Sequence, residues 1–330
     1  MEPIRHRFES MGTVVQLIAA PESDRRVIDR ALRVVKRTFA REEARFTRFR
    51  PQSELSRVNS QAGSWVHVSP PFANLMRDAL RAAHETDGLF DPTVLPALMA
   101  AGYDRDFDEV RARAAREVEE DEELLAIRRE FQALMIKNST ACGTWREVEL
   151  VGNRLRLPTG SALDFGGIAK GWTVDLVTPW LRKLPWAIVD AGGDLRLVGT
   201  PPDEGMEVGV EDPQAPGVEA VRLRLSSGAL ATTSVTVRAW GPGAHHVIDP
   251  RTSLPALTGV VQATVWAETC AKAEVWSKAA LLAGPPILER VPASLVLDSG
   301  EIVTNLTPAP SEDGGHDDAY GVDSLNEVLA

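Results

Sequence analysis

The segment LDFGGIAKGWTVD, residues 163–175, combines two charged side chains with a pair of glycines. Asp164 precedes Gly166 and Gly167, and Lys170 follows them at the start of a predicted amphipathic helix. Glycines at a strand-to-helix turn let backbone amides approach a ligand closely, and a lysine in the first turns of the helix can meet a phosphate. The segment therefore predicts an anion-binding strand-to-helix turn. A tight turn with an Asp cap and a surface lysine explains the same residues.

Two further turns have the same character. DAGGDLRLVG places Gly192 and Gly193 before Asp194, and DGLFDPTV places Phe90 before an Asp-Pro turn at Asp91. The glycine pair of the first turn is also typical of a plain hairpin, so that explanation stays open. In the second turn the ring of Phe90 offers a flat face for stacking.

The segment HHVIDPRT, residues 245–252, brings two histidines, an aspartate and an arginine together. Histidine is the natural general base near neutral pH, and Arg251 suits a phosphate. An Asp-Pro turn with exposed histidines is the alternative. Together with the three preceding turns, the segment indicates one phosphate-rich ligand that is bound by several loops.

A fifth candidate is the helical segment AKAEVWSKAALLAG, in which Glu274 and Lys278 are four residues apart. This order of charges is also the one that forms a helical salt bridge. From the residues alone, the salt bridge is the stronger explanation.

The overall composition excludes some classes of protein. The chain has 330 residues, with 47 acidic against 36 basic side chains, so it lacks the basic footprint of a nucleic-acid-binding protein. Two cysteines are too few for a disulfide framework. The first twenty residues resemble neither a signal peptide nor a membrane anchor. We therefore expect a soluble, cytoplasmic protein without membrane insertion.

The pattern along the chain mixes hairpins with helices and lacks a regular βαβ series, which predicts an α+β (mixed α/β) fold. We treat residues 1–307 as one domain with a charged, variable excursion at about 104–141, and we expect the acidic tail at 308–330 to be disordered. The expected elements are a strand across 6–20 that includes MGT, helices at 27–46, 70–88 and 267–284, hairpins at 148–158, 186–200 and 294–305, and two strands within 221–240.

The motifs MGT, SELSRVN, DGLFDPTV, LDFGGIAKG, VDAGGDLRLVG, ATTS and HHVIDPRT follow one another between residue 11 and about residue 305. This ordered series resembles the ApbE-like FAD:protein FMN transferases, or flavin transferases. The resemblance implies a two-part fold in which antiparallel or mixed sheets are flanked by helices around a central FAD cleft. It implies cleavage of the FAD pyrophosphate, attachment of FMN through a phosphoester to a Thr or Ser hydroxyl of a target flavoprotein, and release of AMP.

The resemblance also implies roles for individual residues. His246 would be the base for the acceptor hydroxyl, and Asp249 and Arg251 would complete the catalytic group. A divalent ion, usually magnesium, would lie by the pyrophosphate, at the backbone of Gly167 and on the later helix at Glu274 and Lys278. The implied flavin and phosphate contacts are Met11, Phe49, Leu89, Phe90, Asp91, Asp164, Gly166, Lys170, Gly192, Gly193, Asp194, Thr233, Val247 and Ile248.

The later helix departs from the family pattern. Glu274 stands where relatives commonly have an aspartate ligand, and Lys278 stands where they commonly have a threonine ligand. A protonated lysine has no lone pair for a metal. Two alternatives to the transferase therefore stay open: an FAD pyrophosphatase that yields FMN and AMP, and a non-catalytic FAD-binding protein with a degenerate metal site.

Overall fold

A computed structural model describes residues 2–117, 142–202, 205–241 and 243–307. The tail predicted at 308–330, and the part of the predicted excursion from residue 118 to 141, lie outside the described residues. Within the described part, no helix is long and apolar enough to cross a membrane.

The described residues form a mixed α+β fold, as the sequence predicts. The helices are α1 Arg25–Phe46, α2 Glu54–Asn59, α3 Pro70–Glu85, α4 Leu95–Ala100, α5 Phe107–Glu117, α6 Ala169–Val177 and α7 Cys270–Ala283. The strands are β1 Ile4–Ser10, β2 Thr13–Ala19, β3 Trp65–His67, β4 Glu149–Val151, β5 Arg154–Arg156, β6 Trp186–Ala191, β7 Asp194–Gly199, β8 Met206–Glu211, β9 Glu219–Leu225, β10 Ala229–Ser234, β11 Ala239–Gly241, β12 Ala244–His245, β13 Ile248–Asp249, β14 Leu254–Pro255, β15 Val260–Ala267, β16 Ala293–Leu297 and β17 Ile302–Thr304.

One eight-stranded sheet, in the order β1-β2-β6-β7-β10-β15-β16-β17, dominates the fold, and its neighbouring strands are antiparallel. In strand β6 the consecutive residues 186–189 are all apolar, because both faces of the strand are covered. Val189 packs with Phe39 of α1 and Val174 of α6 on one face. Ile188 packs with Leu223 of the β8–β9 hairpin on the other. The sheet thereby fixes α6 and α7, which hold the candidate residues Lys170, Glu274 and Lys278.

A second core lies beside this layer. It joins α2, α3 and the small sheet β3-β5-β4, and Leu55, Phe72 and Leu155 are buried in it. Phe165 and Ile168, from the loop before α6, insert into the same core. The loop with the first glycine pair is therefore anchored on this core, while the helix that follows it packs on both, with Trp172 in this core and Val174 in the other.

The N-terminal segment differs from the sequence prediction. The single strand expected across residues 6–20 is wrong, because the chain folds there into the β1–β2 hairpin. Met11 and Gly12 form the turn, with φ of 53° and 66°. Two consecutive positive φ values are typical of the tight turns that join hairpin strands. The apolar alternation continues across the turn, which hides the break from a pattern-based prediction.

The strand expected just before α6 is also absent among the described residues. Leu163 has no strand partner, and the side chain of Asn59 replaces one. Its Nδ2 donates to Leu163 O at 2.9 Å, and Leu163 N donates to its Oδ1 at 2.8 Å. Asp164 N donates to Pro92 O at 2.9 Å. The loop is thus held extended by a side chain and by the Asp-Pro turn, so the expected strand-to-helix turn is a loop-to-helix turn.

The last residue of that motif, Asp175, has a structural role. Its carboxylate accepts hydrogen bonds from the backbone amides of Cys270 and Ala271, both at 3.0 Å, at the start of α7. It also pairs with Arg196 of β7. Burial raises the pKa of Asp175, and the two amide bonds oppose this change. The residue therefore ties α6, α7 and the sheet together.

We expect Asp175→Ala to lower the free energy of unfolding by about 1–3 kcal/mol, because two amides at the start of a helix lose their acceptor. Chemical denaturation measures the change. The control is Asp29→Ala, which removes an exposed aspartate of α1. An unfolding free energy for Asp175→Ala equal to that of the control would contradict the capping role.

Candidate functional site

A cavity of about 890 Å³ opens where the two cores meet. This volume is within the range of sites that bind small molecules and cofactors. Thirteen of the predicted site residues contribute to its wall: Met11, Phe49, Leu89, Phe90, Asp91, Asp164, Gly166, Gly167, Lys170, His246, Val247, Ile248 and Lys278. The remaining predicted residues are outside the wall: Gly192, Gly193, Asp194, Thr233, Asp249, Arg251 and Glu274.

The first glycine pair is shaped by Asp164. Oδ1 of Asp164 accepts a hydrogen bond from Gly166 N at 2.7 Å, and its Oδ2 lies 3.1 Å from Arg48 Nε. A Cβ at Gly167 would be 2.9 Å from the Cδ and Cε atoms of Lys278 and 3.0 Å from the ring of Phe90. A larger residue at this position would displace the lysine stem, and the carboxylate of Asp164 orders the turn.

Lys170 lies at the first turn of α6 and is bound by two acids. Its ammonium group contacts Asp194 of β7, and it lies 2.8 Å from Oε1 of Glu274 on α7. Burial alone would lower the pKa of Lys170, but the two carboxylates outweigh burial and raise it. Burial raises the pKa of Asp194 to about 7, although Lys170 acts in the opposite direction. Asp194 and Glu274 thus lie behind the cavity wall and hold Lys170 in it.

Both carboxylate oxygens of Glu274 have partners. Gly171 N donates to Oε2 at 2.9 Å, while Oε1 faces Lys170 at 2.8 Å and Lys278 at 3.8 Å. Burial alone would raise the pKa of Glu274, but the two lysines reverse this effect and hold it below its usual value. The fully buried Glu274 is therefore the anion at the centre of a cationic cluster.

This cluster does not fit a divalent cation. Lys278 offers no lone pair, and two ammonium groups already face Glu274. Within the residues that the structure describes, no group of three or more His, Cys, Asp or Glu side chains could hold a metal ion. The magnesium site implied by the resemblance therefore disagrees with the donor set of this chain.

The two adjacent histidines have different surroundings. His245 is buried, its Nε2 lies 3.0 Å from Ala256 O, and its Nδ1 accepts a hydrogen bond from Val247 N at 3.3 Å. His246 lines the cavity, and its Nδ1 is buried without a hydrogen-bond partner among the described residues. Burial lowers the pKa of His246 well below its usual value, and Arg238 and Lys278 add to the effect. His246 is therefore neutral near pH 7, and the fold does not use its Nδ1.

Asp249 and Arg251 pair with each other. Nε and Nη2 of Arg251 contact the Asp249 carboxylate at 2.9 and 2.7 Å, and Nη2 also donates to Leu282 O at 2.8 Å. This two-point ion pair stabilises the turn between β13 and β14. Pro250, in the same turn, lines the cavity. In this structure the pair supports the loop after His246, and neither charged group faces the cavity.

The other turns contribute backbone and apolar surface. Asp91 accepts hydrogen bonds from Thr93 N at 2.7 Å and from Gly143 N at 2.6 Å, so its carboxylate fixes the loop that presents Leu89 and Phe90. Burial raises the pKa of Asp91, and these hydrogen bonds act in the opposite direction. Val247 is buried, lines the same cavity and belongs to the apolar cluster against which Leu89 packs. The Asp-Pro turn is thus a scaffold for an apolar surface.

The second glycine pair and Thr233 lie behind the site. A Cβ at Gly192 would be 2.1 Å from Oγ1 of Thr13, so this turn packs directly against β2. Gly193 N donates to Asp190 Oδ1 at 2.8 Å. Thr233 shares a hydrogen bond of 2.7 Å with Ser277 of α7. These residues join the strands and the helix that support Lys170 and Lys278.

Three further wall residues, which the sequence did not single out, carry rings or positive charge. The guanidinium group of Arg48 lies over the rings of Phe49 and Tyr103, at 4.3 and 4.5 Å from their centroids. Its Nη2 is buried without a hydrogen-bond partner in the described ranges. Arg238 also lines the cavity, and it donates to Gly12 O at 3.1 Å. Tyr103 lies directly before the charged excursion predicted at about 104–141.

We expect Arg48→Met to raise the dissociation constant of the cavity's ligand about tenfold, because one charged donor is lost while the stem of the side chain is kept. Titration with FAD, the ligand that the motif resemblance implies, measures this change. The control is Arg37→Met, an exposed arginine of α1. Equal affinity in the two variants would show that Nη2 of Arg48 meets no ligand atom.

The sequence of the chain is similar to those of one protein family. Residues 11–295 match the family model described as the ApbE family. An FAD:protein FMN transferase of Treponema pallidum is 26% identical over 292 residues, which cover 83% of this chain and 77% of that protein. An FAD:protein FMN transferase of Rhodobacter capsulatus is 28% identical over 251 residues, which cover 73% of this chain and 44% of that protein, so the chain spans less than half of this relative.

A solved structure shares the fold. The crystal structure of an ApbE protein from Thermotoga maritima superposes with a TM-score of 0.75. It is 24% identical, and the match covers 92% of this chain and 97% of that chain.

Proposed function

The chain belongs to the ApbE family, and from this premise we propose that it is an FAD:protein FMN transferase. The observation on which the proposal rests is that one cavity combines a surface for a flat ring with two ammonium groups and a neutral histidine. Phe49 provides the ring surface, Lys170 and Lys278 provide the charge, and His246 provides the free nitrogen. We further propose that residues 1–307 act as one domain, which the family match over 11–295 supports.

The two ends of FAD suit different walls of the cavity. The isoalloxazine ring is flat and apolar on its faces, and it suits the aromatic wall at Phe49 and Tyr103 with the apolar surface of Leu89 and Val247. The pyrophosphate is anionic, and it suits Lys170 and the backbone amides of the turn after Asp164. Arg48 adds a positive charge to the aromatic wall, over the rings of Phe49 and Tyr103.

The proposed reaction is a phosphoryl transfer to a protein hydroxyl. The oxygen of a Thr or Ser side chain of the acceptor attacks the phosphorus atom on the flavin side of the pyrophosphate. A new P–O bond forms to the acceptor, and the bond between that phosphorus and the bridging oxygen breaks. The bridging oxygen leaves with AMP, and the hydroxyl proton passes to His246. No group is oxidised or reduced.

Surrounding charges assist this step. Phosphoryl transfer depends on positioning and on neutralisation of the charge that builds up on the leaving group. The ammonium of Lys170 is fixed by Asp194 and Glu274, so it does not have to reorganise when the charge develops. His246 is held neutral by burial and by nearby cations, which is the protonation state that a base requires.

Incubation of the protein with FAD and a peptide that contains an acceptor threonine tests the proposal. Mass spectrometry of the peptide is expected to show one added FMN group, with AMP as the second product. Release of FMN and AMP with an unmodified peptide would indicate a pyrophosphatase. Tight FAD binding with no product would indicate a binding protein.

A further inference from the structure

Lys278 occupies a position that the packing around it defines closely. Its stem crosses Gly167, where a Cβ would be 2.9 Å from Cδ and Cε of the lysine. Only 18% of the side chain is exposed, and it lines the cavity. The lysine therefore extends from α7 over the glycine turn toward the space assigned to the pyrophosphate, and it does not extend into bulk solvent.

The ammonium of Lys278 also differs from that of Lys170 in its partners. Lys170 contacts Asp194 and lies 2.8 Å from Glu274. Lys278 Nζ lies 3.8 Å from Glu274 Oε1, which is beyond hydrogen-bond distance, and the described residues offer it no other ion pair. An ammonium group has three donors. Lys278 thus keeps its donors for a ligand, while two of the three donors of Lys170 are taken by Asp194 and Glu274.

The groups around Lys278 determine whether this position suits a cation or an anion. Glu274, the one carboxylate in reach of Lys278 in the described part of the chain, already accepts from Lys170 and from Gly171 N. A divalent cation placed here would be repelled by two ammonium groups and would meet no free carboxylate oxygen of Glu274. An anion placed here would complete the hydrogen bonds of Lys278.

We propose that the ammonium of Lys278 takes the place of a divalent cation, binds the pyrophosphate of FAD directly, and allows the transfer to proceed without added metal. This inference rests on the proposed transferase function. A lysine is a compact charge with three donors, and it suits a phosphate as a point charge. Lys278 neutralises negative charge on the phosphates, and it neither gives nor takes a proton in the step.

Binding experiments separate this role from the transfer itself. Wild type, Lys278→Met and the control Lys272→Met, an exposed lysine of the same helix, are titrated with FAD and with riboflavin in EDTA. We expect Lys278→Met to raise the dissociation constant of FAD about tenfold, the loss of one charge-assisted hydrogen bond, and to leave riboflavin binding unchanged. Equal FAD affinity in Lys278→Met and Lys272→Met would overturn the proposal.

The metal requirement is measured on the wild-type protein in the same EDTA buffer and in excess magnesium. We expect FAD affinity and FMN transfer to be similar in the two buffers. Loss of either in EDTA, with recovery in magnesium, would overturn the proposal. Absence of transfer in both buffers would refute the transferase function instead, and the FAD titration of Lys278→Met would still decide the role of Lys278.

Discussion

Replacement of His246 by alanine is expected to slow FMN transfer about 10²- to 10⁴-fold, the usual contribution of a general base, while FAD affinity stays close to that of wild type. The reason is that the His246 ring lines the cavity, and its Nδ1 makes no hydrogen bond within the described residues that would hold the fold. Single-turnover transfer and FAD titration, measured on the same preparation, separate the two effects.

The neighbouring histidine is the matched control. His245 hydrogen-bonds to the backbone on both sides of its ring, so His245→Ala is expected to lower the melting temperature and to leave the transfer rate of the folded protein near that of wild type. If His245→Ala loses the transfer step and His246→Ala keeps it, the base has been assigned to the wrong histidine. If both keep it, the base lies elsewhere.

The pH dependence follows from the surroundings of His246. Its pKa is lowered in the folded protein, mainly by burial and further by Arg238 and Lys278, so the folded state binds its proton only at more acidic pH than the unfolded state does. The acid limb of the transfer rate that belongs to this base is therefore expected well below pH 6.5. An acid limb near or above the ordinary histidine pKa would contradict this assignment.

Replacement of Lys170 by methionine is expected to lower the free energy of unfolding by about 3–5 kcal/mol, the effect of removing one partner from a buried ion pair. Asp194 and Glu274 are almost fully buried, and without Lys170 the two carboxylates face each other with less compensating charge. Denaturant unfolding measures the change, and Lys272→Met is again the control.

A second variant distinguishes loss of charge balance from loss of packing. The double variant Lys170→Met with Asp194→Asn lacks the buried charge of the Asp194 carboxylate. It is therefore expected to be more stable than Lys170→Met alone. The penalty of Lys170→Met should also decrease as the pH falls toward about 7, because Lys170 lowers the pKa of Asp194, so its loss raises that pKa above the wild-type value of about 7 and lets protonation remove the buried charge at higher pH. A penalty that is independent of pH and of Asp194→Asn would refute this explanation.

The sequence predicts elements whose signals are local. Helix α1 begins at Arg25, after Asp24 whose side chain accepts from Arg26 N, and the predicted helix at 27–46 is confirmed. The turn at Gly152 is confirmed as the β4–β5 hairpin. The β1–β2 turn was missed because Met11 takes a positive φ without the Asn-Gly pair that usually marks such a turn.

Long-range contacts explain the remaining differences at the site. Arg48 becomes a wall residue because Asp164, far along the chain, lies 3.1 Å from its guanidinium group. Asp249 and Arg251 suggested chemistry by type, yet they satisfy each other in this structure. The sequence analysis could identify the residue types of the site, but it could not establish which charges had already found partners in the folded chain.

The ratio of AMP released to acceptor modified distinguishes an FMN transferase from a pyrophosphatase. The protein is incubated with FAD in the presence and absence of an acceptor that contains threonine, and AMP, FMN and modified acceptor are quantified over time. FMN transferase activity is expected to release one AMP for each FMN group attached, with little AMP formed when the acceptor is absent. Equal release of AMP and free FMN, independent of the acceptor, would contradict it.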